Sequence, residues 1–192
     1  MSGHVLVATK PIDGKALNTA TSKTALHNLI SALKDGGRQT SRVVLPVSLT
    51  KAKITQANIG KAILVVRTTC YMSLYQGTTR LRIYRCAVGQ PRYPMPLGLW
   101  TIIKKNPAPT WTNPYDDWSM GMPSFIGPGP NNPLGTRALY LNADGIRIHG
   151  IPVSENDSIG TQASHGCIRL VRKNVEDLYP LVPLGTPVYI VD

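Results

Sequence analysis

From Ile63 onward the chain alternates. Leu64, Val66, Cys70, Met72 and Leu74 fall on one parity, and Arg67, Thr69, Tyr71, Ser73 and Tyr75 on the other. A period of two commits a segment to a strand with one face inward, because successive side chains point to opposite sides of a sheet. Gln76-Gly77-Thr78-Thr79 reads as a turn, and residues 81–88 return as a second strand. Further strands are expected at 99–103, 138–141, 145–149 and 188–191, with a short helix at 174–181. Gly 17 and Pro 16 in 192 residues suit such a turn-rich β-fold. The expected class is mainly β, a β-sandwich with a long loop and one short helix, preceded by a small α+β segment.

That segment is residues 1–58. A strand at 6–8 leads to a helix at 21–34, on which Ala25, Leu26, Leu29, Ile30 and Leu33 share one face. Thr21 or Ser22 supplies its cap, and Gly36-Gly37 ends it. Residues 42–47 then read as a strand closed by Pro46, and 54–58 as a short connection. Residues 59–192 form the second unit. Within it, 106–135 is a proline- and glycine-rich stretch without periodicity. Loops this long in a compact domain are commonly functional. Its Trp111, Tyr115, Trp118 and Phe125 point to a lid or wall packed beside a substrate channel.

The net charge of +11 implies an anionic partner. No run of five basic residues or basic stripe interleaved with aromatics is present, so nucleic acid is not expected. The longest apolar run, 62–66, is far below the roughly 20 residues of a membrane span. No signal segment is visible in this chain. Cys70 and Cys86 lie on strands joined by a turn and could face each other; whether they pair stays open, since a slip of one residue would separate them.

Chemistry concentrates in Ser164-His165-Gly166-Cys167-Ile168-Arg169, with His149-Gly150 upstream. A thiol reacts as its thiolate, and a nearby imidazole held in one tautomer can take the proton. His149 and His165 are both available. Gly166 permits a tight backbone whose N–H groups can meet a developing oxyanion, and Arg169 offers a two-pronged hold on a carboxylate. From the residues alone, a buried structural cysteine remains open beside an acyl-transfer site. A zinc site lacks further soft ligands at short spacing, because Cys70 and Cys86 stand apart without a local His.

The order of these residues resembles the L,D-transpeptidase catalytic domain: His-Gly, a spacer, then Ser-His-Gly-Cys and an Arg two positions on. Asn132-Pro133-Leu134-Gly135-Thr136-Arg137-Ala138-Leu139 and Pro183-Leu184-Gly185-Thr186-Pro187-Val188 resemble further family segments. Met95-Pro96-Leu97-Gly98 departs from the family's Thr-Pro-x-Gly at Met95. The resemblance implies Cys167 as nucleophile, His149 as base, Gly150 orienting His149 through its carbonyl, and His165 shaping the site. Ser164, Gly166, Arg169 and Gly145 are its expected substrate contacts. It implies no metal or organic cofactor, and as partners the donor and acceptor stem peptides of peptidoglycan together with anionic cell-wall polymers. The expected reaction is a third-to-third stem crosslink through a cysteine thioester, in the bacterial periplasm or cell wall. An L,D-carboxypeptidase using the same site, a sortase-like transpeptidase and a wall-binding module with an inactive site are the alternatives. Residues 1–58 resemble the latter part of a peptidoglycan-binding module.

Overall fold

A computed structural model describes residues 12–35, 44–52 and 59–192. Its contacts divide the chain into two units, with Thr9–Asn58 forming the smaller.

In the smaller unit, β1 (Gly14–Leu17) pairs antiparallel with β2 (Val47–Thr50) around α1 (Thr19–Lys34). The helix starts two residues earlier than the spacing suggests. Asn18 caps it, its side-chain oxygen accepting from Thr21 N at 3.1 Å, which satisfies one of the free N–H groups of the first turn. Pro46 does not close a strand. It precedes β2 and lends its carbonyl to Asn18 N at 3.0 Å, as suits a residue with no N–H for a ladder. Leu26, Ile30 and Leu33 of the expected apolar face are exposed. The strand expected at 6–8, the Gly36-Gly37 stop and the 54–58 connection lie outside the described residues.

The larger unit runs β3 (Lys61–Val66), β4 (Tyr71–Gln76), β5 (Thr79–Arg85), β6 (Gly98–Asn106), β7 (Trp111–Thr112), β8 (Phe125–Ile126), β9 (Ala138–Leu141), β10 (Arg147–Gly150), β11 (Ile168–Leu170), α2 (Arg172–Leu181) and β12 (Pro187–Val191). Eight strands make one mixed sheet in the order β11-β10-β9-β6-β12-β3-β4-β5. The chain leaving β5 returns to the far edge, where Ala87 bridges Arg169 and Gly89 bridges Ser164. The sheet thus nearly closes, in keeping with the expected β-rich class. No helix among the described residues is long and apolar enough to cross a membrane.

The alternation from Ile63 does not run through to Leu74. Residues 67–70 turn, with Cys70 at φ 56°, and the turn reverses parity. Ile63 and Val65, not Leu64 and Val66, therefore join Met72 and Leu74 in the main core. Leu64 and Val66 pack on the other face with Tyr75. Cys70 and Cys86 are opposite neighbours, Cys86 N donating to Cys70 O at 2.9 Å, and both are buried free thiols.

Two buried asparagines organise the 106–135 stretch. Asn113 Nδ2 donates to Ser119 O and Met122 O, while its oxygen accepts from Tyr115 N at 2.7 Å. Asn132 Nδ2 lies 2.9 Å from the carbonyls of Pro109, Ile126 and Gly127, and its oxygen accepts from Leu134 N at 2.8 Å. Backbone groups that regular structure would satisfy are met here by side chains. Gly135 then presses this stretch onto β10, since a Cβ there would lie 2.6 Å from Gly150 C.

Candidate active site

β10 and β11 pair in parallel, with Ile148 beside Ile168 and His149 beside Arg169. Ile148, Ile168 and Leu170 enter the core. Alternation sends Arg147, His149, Cys167 and Arg169 to the opposite side. These four line one wall of a cleft of about 280 Å³, and Trp111 and Trp118 of the 106–135 stretch line it from above. The sequence therefore brings His149 and Cys167 together by register alone.

His149 is buried, and its Nδ1 lies 2.5 Å from Gly150 O. With Nδ1–H given to that carbonyl, Nε2 carries the free lone pair, as a proton acceptor requires. Burial, reinforced by the charge of Arg169, pulls its pKa down to about 3, so the ring is neutral near pH 7. The Cys167 thiol donates to Gly145 O at 3.3 Å. Burial pushes the thiol up, against the opposing pull of Arg147, through its charge and its backbone N–H, and of Arg169. Both shifts favour the neutral thiol and the neutral imidazole over an ion pair.

Ser164 corrects one expectation. It is fully buried, and its hydroxyl donates to Cys167 O at 2.5 Å. Its N–H and C=O are bonded to Val88 and Gln90. It closes the turn under the thiol and has no surface left for substrate. Gly166, also buried, allows that turn by adopting φ 103°. Gly145 lines the cleft, yet its carbonyl is the acceptor that holds the thiol.

His165 is clamped. Trp118 stacks on it, centroids 4.2 Å apart and planes 8° from parallel, and Tyr93 meets it edge-on at 5.0 Å. Arg169 reaches His165 Nδ1 at 3.4 Å through one arm and Glu155 at 3.3 Å through the other. The guanidinium expected to await a substrate carboxylate is thus already paired within its own domain.

Arg147, Glu155 and Tyr93 were missed by sequence reasoning. Arg147 alone left a signal, standing two residues before His149 in a predicted strand. Glu155 and Tyr93 are brought in by tertiary packing, with no local pattern to mark them.

A thiol and an oriented imidazole lie on one face of a nearly closed sheet, beneath an aromatic flap, which is the pair of groups that thiol acyl transfer requires. Comparison with known proteins narrows this. Residues 60–190 match the L,D-transpeptidase catalytic domain family, YkuD. A Fuscovulum blasticum protein named as an L,D-transpeptidase is 38% identical over 100 residues, 49% of each chain. YbiS of Escherichia coli K12, also so named, is 32% identical over 139 residues, 67% of this chain and 44% of its own. The chain spans about half the length of these curated relatives. In structure, L,D-transpeptidase 3 of Mycobacterium tuberculosis with a faropenem-derived adduct aligns at TM-score 0.55 and 20% identity, over 76% of this chain and 67% of that one; the likeness is one of fold. The chain belongs to the L,D-transpeptidase family.

Proposed function

We propose that this protein is a peptidoglycan L,D-transpeptidase that forms third-to-third stem crosslinks through a thioester on Cys167. The observation that supports this best is the β10–β11 pairing, which sets Cys167 and His149 on one cleft wall with His149 Nδ1 fixed on Gly150 O. His149 Nε2 takes the thiol proton as sulfur attacks the carbonyl between the third stem residue and the terminal D-Ala. Backbone N–H groups around Cys167 hold the oxyanion. Collapse breaks the C–N bond, His149 returns the proton to the departing D-Ala amine, and a thioester remains. The side-chain amine of a second stem then attacks, gives a proton to His149, and leaves as the new amide while sulfur recovers a proton. Arg169 serves the site from its wall, Gly166 shapes the turn beneath the thiol rather than meeting substrate, and His165 links the site to the flap.

The reading places the protein outside the cytoplasm, at the wall. The excess of basic side chains suits anionic wall polymers, and residues 1–58 are proposed as part of a wall-binding module. Purified disaccharide-tetrapeptide incubated with the protein should give a dimer with the mass of two stems less one D-Ala. Release of D-Ala without dimer would make it a carboxypeptidase, and no product at all would refute the reading.

A further inference from the structure

The sheet carries a second feature beside the thiol. Across four adjacent strands, Lys104 of β6 pairs with Tyr140 of β9, and Tyr140 pairs with Arg147 of β10. Arg147 precedes Ile148, the partner of Ile168, so its neighbour on the β11 side is Cys167. Lys104, Tyr140, Arg147 and Cys167 stand in one row across the strands. Arg147 Cζ lies 5.5 Å from the Tyr140 ring centroid and Lys104 Nζ 5.2 Å from it. The aromatic face holds both cations by a contact that needs no anion.

Of the two guanidiniums that line the cleft, Arg169 is paired within the domain and Arg147, among the described residues, is not. Arg67 is paired with Asp192, Arg82 with Asp177, Arg92 with Asp117 and Arg169 with Glu155. No ion pair among the described residues involves Arg147, although Asp116 and Asp144 also line the cleft. A half-buried cation, immobilised on a ring and lacking a carboxylate, stands one strand from the nucleophile. Neighbouring strands are about 4.8 Å apart. A carboxylate one residue from an attacked carbonyl sits about 3.8 Å from it along the chain, so the two spacings match within the reach of an arginine side chain.

We infer that Arg147, not Arg169, is the residue with which this cleft recognises a free carboxylate of the acyl donor lying within one residue of the attacked carbonyl. This rests on the transpeptidase reading and deepens it. Two groups of the donor offer that chemistry: the terminal carboxylate of the leaving residue, and a side-chain carboxylate on the third-position diamino acid. A guanidinium takes either by two parallel hydrogen bonds, which an amide cannot accept with charge. The cleft then selects stems that end in, or carry, an acid next to the scissile bond.

The test measures kcat/KM of the full chain with three donors: the tetrapeptide with all carboxylates free, its C-terminal amide, and the form amidated on the diamino acid side chain. The wild type should prefer the free acid over one of the two amides by about tenfold or more, the loss expected for a charge-assisted bond. Which amide suffers identifies the carboxylate. In Arg147→Gln that preference should collapse to within about threefold, and Arg147→Lys, which keeps charge and loses the fork, should fall between. A preference unchanged in Arg147→Gln overturns the inference. Should that variant fail to fold, an unchanged preference in Arg147→Lys overturns it. Collapse in Arg169→Gln with none in Arg147→Gln would make Arg169 the anchor and overturn it as well. Equal use of all three donors by the wild type also refutes the inference but leaves the transpeptidase reading standing. Turnover of none of them refutes that reading itself.

Discussion

Asn132→Asp should open the flap over the cleft while leaving the sheet folded. Asn132 is fully buried, its amide facing the carbonyls of Pro109, Ile126 and Gly127, each at 2.9 Å. The exchange preserves shape and the contact from Leu134 N, but it sets an oxygen where two N–H donors stood. At about 1 kcal/mol per lost hydrogen bond and about 1–3 kcal/mol for a buried carbonyl left unmet, the cost comes to about 3–5 kcal/mol. That is a large part of the roughly 5–15 kcal/mol holding a domain together. The sheet core shares none of these bonds, so the cost should appear as local opening. Leu134 and Trp118 line the cleft, so kcat/KM should fall in parallel. Hydrogen exchange and limited proteolysis check this: protection within 107–135 should drop while β3, β4 and β12 stay protected. Unchanged protection across 107–135, with an unchanged melting temperature, would refute the reasoning. Partial recovery at low pH is expected as well, since a protonated carboxyl regains one donor.

Trp118→Ala removes the stack on His165, worth about 0.5–1.5 kcal/mol beyond its buried area. It should lower kcat/KM by about three- to tenfold and speed alkylation of Cys167; if neither moves, the flap contact has no role. Because burial raises the thiol and holds His149 neutral, alkylation of Cys167 by iodoacetamide should climb from about pH 7 and still be climbing past about pH 9, beyond the ordinary thiol range; a plateau at about pH 5–6 would show a preformed ion pair. His149 binds its proton less readily folded than unfolded, so its contribution to stability is present above about pH 6.5 and declines as pH falls toward about 3. A melting temperature flat over that interval would count against the buried neutral ring. Lys105→Met deletes a cation that donates to Tyr179 O at 2.6 Å and Val182 O at 2.7 Å at the end of α2; a stability loss of about 1–3 kcal/mol should appear in urea unfolding, and none would mean solvent replaces it freely.

β12 was legible because its alternation and its burial agree, whereas β5 and β6, mostly exposed along their length, were marked by the turns that flank them. The break at 67–70 was not. Thr68 and Thr69 look like strand residues, and no glycine marks the positive φ that Cys70 adopts. In the site, His149 and Cys167 were legible because parity on two short strands decides where they point. Ser164 was misjudged, since a turn serine can face substrate or its own backbone and only the fold chooses. Arg169 was half legible: its side of the strand followed from the spacing to Cys167, but its pairing with Glu155 depends on a segment folded in from elsewhere. The stack of Trp118 on His165 joins distant parts of the chain, and no local pattern encodes such a contact.

The central claim, that Cys167 becomes acylated by a stem peptide, is tested most directly by the intact mass of the protein during turnover. With a tetrapeptide stem the wild type should gain the mass of the donor less one free D-Ala, localised by digestion to the peptide holding Cys167, and Cys167→Ala should gain nothing. An adduct that persists in Cys167→Ala, or that maps to Cys70 or Cys86, would contradict the account.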